Sequence, residues 1–109
     1  MRTKFEGQME ELNTMLIEMG ALIERSIAMS VSALKAQDIE LAKETIAADI
    51  LIDQQEKTIE AMCLNLLLKQ QPVASDLRLI SSALKMITDM ERIGDQAADI
   101  AEIDRKSVV

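Results

Sequence analysis

Apolar residues recur along this chain in three long helical rhythms. In the first, Phe5, Met9, Leu12, Leu16, Met19 and Ile23 follow one another at steps of 4, 3, 4, 3 and 4. That is the spacing of one helix face, and the stripe is expected to continue through Ile27, Val31 and Leu34. Gly20 falls inside it, where glycine costs about 1 kcal/mol relative to alanine, and is read as a close contact with another helix. The second rhythm starts after Asp38, a suitable N-cap, with Glu40 adding negative charge to the first turn. It has two apolar flanks, one of Leu41, Ala48, Ile52, Ile59 and Leu66, the other of Ile46, Ile50, Ala61 and Leu64. Between the flanks stand Asp49, Asp53, Glu56 and Glu60. The third begins around Pro72, which disfavours a helical Gln71 and suits a first helical turn. Its stripe is Val73, Leu77, Ile80, Leu84 and Ile87, and the next two places on it are taken by Glu91 and Asp95.

These patterns predict helices over about 4–36, 38–70 and 72–104, with no strand alternation and no linker. Helices of that length joined by tight turns pack antiparallel. The fold class is therefore all-α, an up-down-up three-helix bundle forming a single domain over residues 1–109. So slender a bundle leaves apolar surface poorly covered, so partner helices are expected.

The two stretches of acids gain meaning from the hairpin. If the second and third helices fold back at residue 72, residues equally far from the turn stand level. Asp53 then meets the height of Glu91, and Asp49 that of Asp95. Each pair spans one turn of its own helix. Four level carboxylates repel one another and resist burial, so either they retain protons or a cation neutralises them. The other reading is a solvated groove in which the acids pair with Lys57, Lys85 or Arg92. Glu102 also falls on the third stripe, Asp99 at its edge, and Asp89 points away from it. Methionines at helical spacing (Met9, Met19, Met62, Met86) read as core filler rather than ligands. Arg78 and Arg92 read as salt-bridge partners of nearby acids, Asp76 and Asp89 among them, rather than as a phosphate site.

Composition narrows the chemistry. The chain has 109 residues, no histidine and a net charge of −7. Without histidine there is no Ser-His-Asp or Cys-His catalysis, no Glu-x-x-His di-iron signature and no His-ligated zinc. Ligands that are all carboxylate suit iron(III), manganese, magnesium or calcium, and also zinc or nickel. An acidic chain with one aromatic residue is a poor partner for nucleic acid. Cys63, the one cysteine, lies in an apolar run and reads as a small core residue. No run is apolar enough to span a membrane and the first residues lack a signal core, so the expected location is cytoplasmic.

"QQPVASDLRLI" followed by "ERIGDQAADIAE" resembles the PhoU family of bacterial phosphate-transport and phosphate-signalling regulators. The "DILID" stretch, the "MG" of the first helix and the turn before "QDIELA" match as well, so the resemblance covers about residues 4–103. It implies half of a six-helix, two-repeat architecture, this chain resembling the N-terminal repeat. It implies a metal ion or cluster (iron, zinc or nickel, less readily magnesium or manganese) on Glu91 and Asp95, with Asp49 and Asp53 as the matching pair. The implied role is non-enzymatic. It is a negative regulator between the phosphate ABC transporter and a sensor histidine kinase, peripheral to the membrane through those partners. Carrying one repeat, the chain is expected to pair with itself as a homodimer or higher oligomer. Two competing readings are a carboxylate-bridged metalloenzyme, which needs an open coordination position and a pocket, and a metal-free helical oligomerisation module, in which a chelator changes nothing.

Overall fold

A computed structural model describes residues 2–69 and 71–107. Three helices make up the fold: α1 Arg2–Ala36, α2 Ile39–Lys69 and α3 Ala74–Ser107. No strand occurs among the described residues. All three helices touch one another in an up-down-up rod measuring 59 × 18 × 17 Å.

The first turn is set by Asp38. Its Oδ1 accepts the Leu41 backbone N–H at 3.1 Å, capping α2, and its own N–H donates to the Ala33 carbonyl at 3.0 Å. That second bond closes α1 in a Schellman arrangement, with Gln37 in the left-handed position at φ 53°. At the second turn Gln71 is also left-handed, φ 44°, so the chain leaves the helix before Pro72. The Val73 carbonyl accepts the first helical bond of α3, from Leu77 N–H at 2.9 Å. Pro72 thus lies two residues ahead of α3 rather than in its first turn.

The buried seams follow stricter heptads than the apolar residues alone suggest. On α1 the seam continues from Met19 and Ile23 to Ser26, Ser30 and Ala33, all buried, keeping steps of 4, 3, 4 and 3. The expected continuation, Ile27, Val31 and Leu34, is exposed instead. Ser30 Oγ donates to the Ile27 carbonyl at 2.8 Å within its own helix, while Ser26 Oγ is buried without a hydrogen-bond partner. On α2, Ala42, Thr45, Ile52, Ile59, Cys63 and Leu66 are buried, and Thr45 Oγ1 likewise donates to the Leu41 carbonyl at 2.9 Å. Ile52, Ile59 and Leu66 of the first flank are core; on the other flank Ile50 and Leu64 are exposed and Ile46 packs partly buried against the alanine cluster.

On α3 the buried line is Ile80, Ala83, Ile87, Gly94, Ala97, Ala101 and Asp104. Val73 and Leu77, expected to start the stripe, are exposed at the end of the rod. Glu91 and Asp95 lie on the flank of this line, partly buried, and do not occupy its centre.

Two apolar clusters result. The larger joins Phe5, Leu12, Met19 and Ile23 to Ile52, Ile59, Leu66, Ile80 and Ile87. The smaller, towards the α1–α2 turn, is built on Ala33, Ala42 and Ala101. Glycine is required at one place. A Cβ on Gly94 would stand 3.2 Å from both Cδ1 and Cγ2 of Ile52 and 3.4 Å from Asp49 Oδ1. The contact expected at Gly20 is looser, since a Cβ there meets only Met90 Cε, at 3.7 Å.

The two glycines therefore predict opposite outcomes. Gly20→Ala gains helix propensity of about 0.5–1 kcal/mol without a clash, raising Tm by about 4–8 °C per kcal/mol. In Gly94→Ala the fully buried Ile52 cannot retreat, and overpacking of about 1–3 kcal/mol exceeds the same gain. Thermal denaturation followed by circular dichroism separates the two, and equal stabilisation by both would contradict the close α2–α3 approach.

Candidate metal centre

The α2–α3 apposition brings carboxylates together. One ligand oxygen each from Asp49, Asp53 and Asp95 lies within 4.8 Å of the other two. Asp49 sits on the α2 seam line, between Thr45 and Ile52, where Gly94 leaves room for its oxygen. Asp53 is one turn further along. Asp95 follows Gly94 and reaches towards α2.

Glu91, the fourth predicted residue, stands outside that 4.8 Å triad but belongs to its surroundings. A hydrogen bond shared with Asp95, then burial, then a bond with Asp53 push its carboxyl up to about 8. Burial, then a hydrogen bond with Asp95 and the charges of Asp95, Asp53 and Asp99, raise Asp49 to about 7. Asp95 is thus the first partner of both Asp49 and Glu91, with Asp53 a second partner of Glu91. Glu56, one turn beyond Asp53, is also raised, by burial first and then by Glu60, Asp53 and Asp95.

No lysine or arginine among the described residues neutralises the triad by a salt bridge. Arg92 pairs with Asp89 at 3.9 Å, Arg105 with Glu102, and Lys43 with Glu40 at 3.7 Å. Glu102, expected on the stripe, is held by Arg105, whose hydrogen bond lowers its pKa. Asp99 is exposed. Asp49 Oδ1 and Asp53 Oδ1 are buried without a hydrogen-bond partner. Two orphaned carboxyl oxygens beside a third carboxylate suit a hard or borderline cation, so the residues present fit the predicted metal.

Sequence reasoning passed over two features. Gly94 is the residue that lets Asp49 approach α3, and its signal was its place three residues before Ala97 and seven before Ala101. Asp104 lies on the same line and is buried with Oδ2 unpartnered. It stands nine residues beyond Asp95, at the far end of the seam, and takes no part in the triad.

The raised acids set a pH dependence. Asp49 at about 7 and Glu91 at about 8 lie above their ordinary values of 3.8 and 4.5. Between those limits the folded chain holds protons that the unfolded chain has released, so stability is greatest at the acid end and falls as pH rises. In chelator, Tm is expected to decline by a few degrees from about pH 5 to about pH 8.5, solvent screening keeping the effect small. Asp49→Asn and Glu91→Gln should flatten the profile and raise Tm at the alkaline end. A wild-type Tm that climbs across this window would contradict the clustering.

Comparison with known proteins agrees with the fold. The family model described as "PhoU domain" matches residues 16–103. The chain is 43% identical over 102 residues to a protein of Clostridium acetobutylicum named phosphate-specific transport system accessory protein PhoU homolog, covering 93% of this chain and 47% of that one. It is 36% identical over 97 residues to the phosphate-specific transport system accessory protein PhoU of Escherichia coli K12, covering 89% and 40%. The crystal structure of PhoU from Pseudomonas aeruginosa superimposes with a TM-score of 0.91 at 38% identity, over 94% of this chain and 49% of that chain. The names of these relatives describe an accessory protein of a transport system, not an enzyme. The chain spans about half the length of the relatives it matches. With its three-helix fold and its matched segment, it belongs to the PhoU domain family.

Proposed function

We propose that this chain serves phosphate transport as a non-catalytic accessory module. It acts as a negative regulator, an adaptor linking a phosphate ABC transporter to a sensor histidine kinase. Its place is the cytoplasmic side of the membrane, which it reaches through those partners. No described helix is long and apolar enough to cross a bilayer. The observation that carries the reading is membership of a family whose relatives are named for the phosphate-specific transport system.

The carboxylate site belongs to the same proposal. Asp49, Asp53 and Asp95 would hold a cation, with Glu91 beside them. The orphaned Oδ1 atoms of Asp49 and Asp53 support this assignment. A bound iron, zinc or nickel ion would supply the positive charge that the cluster lacks. The protein's own part is to hold the acids level across α2 and α3, with Ile52 and Gly94 fixing the spacing. Binding requires deprotonated oxygens, so loading would release the protons retained by Asp49 and Glu91 and be favoured as pH rises.

Two measurements test these parts separately. Elemental analysis should find at least about one equivalent of metal per chain in the wild type and none in Asp49→Asn/Asp95→Asn. At a free metal concentration 100 times Kd the loaded protein should be about 2.7 kcal/mol more stable, and a chelator should remove that gain. A wild type that stays empty after dialysis against iron(III), zinc and nickel leaves the acids as a proton-sharing groove. For the adaptor role, the chain is expressed in a bacterium lacking its longer relative, and a phosphate-starvation reporter is read in phosphate-rich medium. Lowered reporter output is expected. Unchanged output with the folded chain present would overturn the regulatory reading.

A further inference from the structure

The hydroxyls of Thr14, Ser30, Thr45, Thr58 and Thr88 each donate to a carbonyl one turn back in their own helix. Ser26 does not. Its side chain is fully buried and its Oγ has no hydrogen-bond partner. A buried polar group in that state calls for a partner close by. The turn between α1 and α2 shows where to look. Ser26 stands eleven residues before Gln37, and Asp49 eleven after Asp38, so the two are level across the hairpin. Asp95 is level with Asp49 across the next one. Phe5, Leu12, Met19 and Ser26 recur every seven residues and are all buried, so Ser26 faces the bundle interior. The neighbouring core layer is filled by Ile23 and Ile52. In the layer of Ser26, α3 contributes Gly94, which has no side chain. From α2 comes Asp49, whose Oδ1 lies 3.4 Å from where a Gly94 Cβ would stand. That oxygen is buried too, and it also lacks a partner. One layer of the core thus holds two orphaned polar atoms, a hydroxyl from α1 and a carboxyl oxygen from α2.

We propose that Ser26 is a positioning residue of the carboxylate site, donating a hydrogen bond to Asp49 Oδ1 once that carboxyl is ionised by a bound cation. The proposal rests on the reading of Asp49, Asp53 and Asp95 as a cation site. Without a cation, Asp49 shares a hydrogen bond with Asp95. Loading removes the proton of that bond, and the ionised carboxyl then takes a donor from elsewhere. No lysine or arginine among the described residues forms a salt bridge with the triad. The Ser26 hydroxyl, free of its own backbone, is a donor in the right layer. It is neutral, so it costs less to bury than a lysine or arginine and does not repel the cation. A carboxylate oxygen has lone pairs for a hydrogen bond and a cation together. The bond from Ser26 therefore fixes the direction in which Asp49 presents itself, as hydrogen bonds to metal-ligating carboxylates do. None of the four acids comes from α1, so this bond is also how occupancy of the site reaches the third helix.

Zinc binding to the full chain is measured by isothermal titration calorimetry, beside the melting temperature in EDTA. Ser26→Ala should raise the zinc Kd about tenfold or more. Its Tm in EDTA should equal or exceed that of the wild type, since an orphaned hydroxyl is removed and alanine favours the helix. Ser30→Ala is the control, one turn away and equally buried, with its hydroxyl bonded to the Ile27 carbonyl. It should leave the zinc Kd unchanged. Hydrogen exchange reads the link to α1: zinc should slow exchange of the amides around residue 26 in the wild type and much less in Ser26→Ala. Equal zinc affinity in the wild type and Ser26→Ala overturns the proposal. So does a Ser26→Ala chain whose Tm in EDTA falls, because the serine is then a packing residue. A wild type that takes up no zinc, iron(III) or nickel overturns the cation reading and this assignment with it, a result distinct from equal binding by both chains.

Discussion

Asp49 and Asp95 face each other across α2 and α3 because Ile52 closes over a glycine. Gly94 has no side chain, so α3 comes near enough for Ile52 to touch its backbone on one side and Asp49 to lie alongside. The same approach brings Asp53 within reach of Asp95 and Glu91. Like charges at such distances oppose the packing that creates them. Burial of Ile52, Ile59 and Ile87 nearby favours the folded state, while ionisation of the acids works against it. Burial and the neighbouring acids hold Asp49 and Glu91 above the ordinary carboxylate range, so protons retained on those two ease the conflict. A cation would resolve it without them, so proton retention and metal binding would compete for the one site.

How much of this was legible beforehand depends on what kind of residue carried the signal. The helices and both turns were visible, because apolar steps of 3 and 4 and the residues Asp38 and Pro72 are local features. The level pairing of Asp49 with Asp95 was also visible, since a hairpin with a located turn fixes heights by counting. The seam beyond Ile23 and Ile87 was not. There it runs through Ser26, Ser30, Gly94, Ala97, Ala101 and Asp104, while Ile27, Val31, Ile93 and Ile100 stand outside. A search for apolar residues follows the isoleucines and loses the seam. A search that held the strict 4-3 alternation would have kept it, and would have placed Glu91 and Asp95 on its flank. The third place in the triad was harder to assign, because Glu91 and Asp53 are level yet only Asp53 reaches the common point, and that difference lies in side-chain direction.

Those isoleucines give α3 two faces with separate chemistry. Glu91 and Asp95 look towards α2, Ile93 and Ile100 look away from it, and the small residues Gly94, Ala97 and Ala101 between them meet the core. Every residue from 91 to 101 on these lines is committed to one of three environments. A single substitution on one line leaves the other two in register, so charge and association can be altered independently.

The two halves of the rod differ in what stabilises them. The half near the α2–α3 turn is filled by Phe5, Leu12, Met19, Ile59, Leu66 and Ile80, large side chains that each bury substantial apolar area. The half near the α1–α2 turn is filled by Ala33, Ala42 and Ala101, and its buried polar residues are Ser26, Ser30, Thr45 and Asp104. A buried alanine removes far less apolar surface from water than a leucine, so this half gains little from its own core. Leu41 and Ile46 pack against it only partly buried, Ile27, Val31, Leu34 and Ile100 lie outside, and the unneutralised acids stand at its boundary with the stronger half. Covering the outer isoleucines and neutralising the inner acids would each act where the isolated bundle is least stable. Local opening is accordingly expected to begin at this end, with the α1–α2 turn, and to leave the Phe5–Ile59–Ile80 cluster closed.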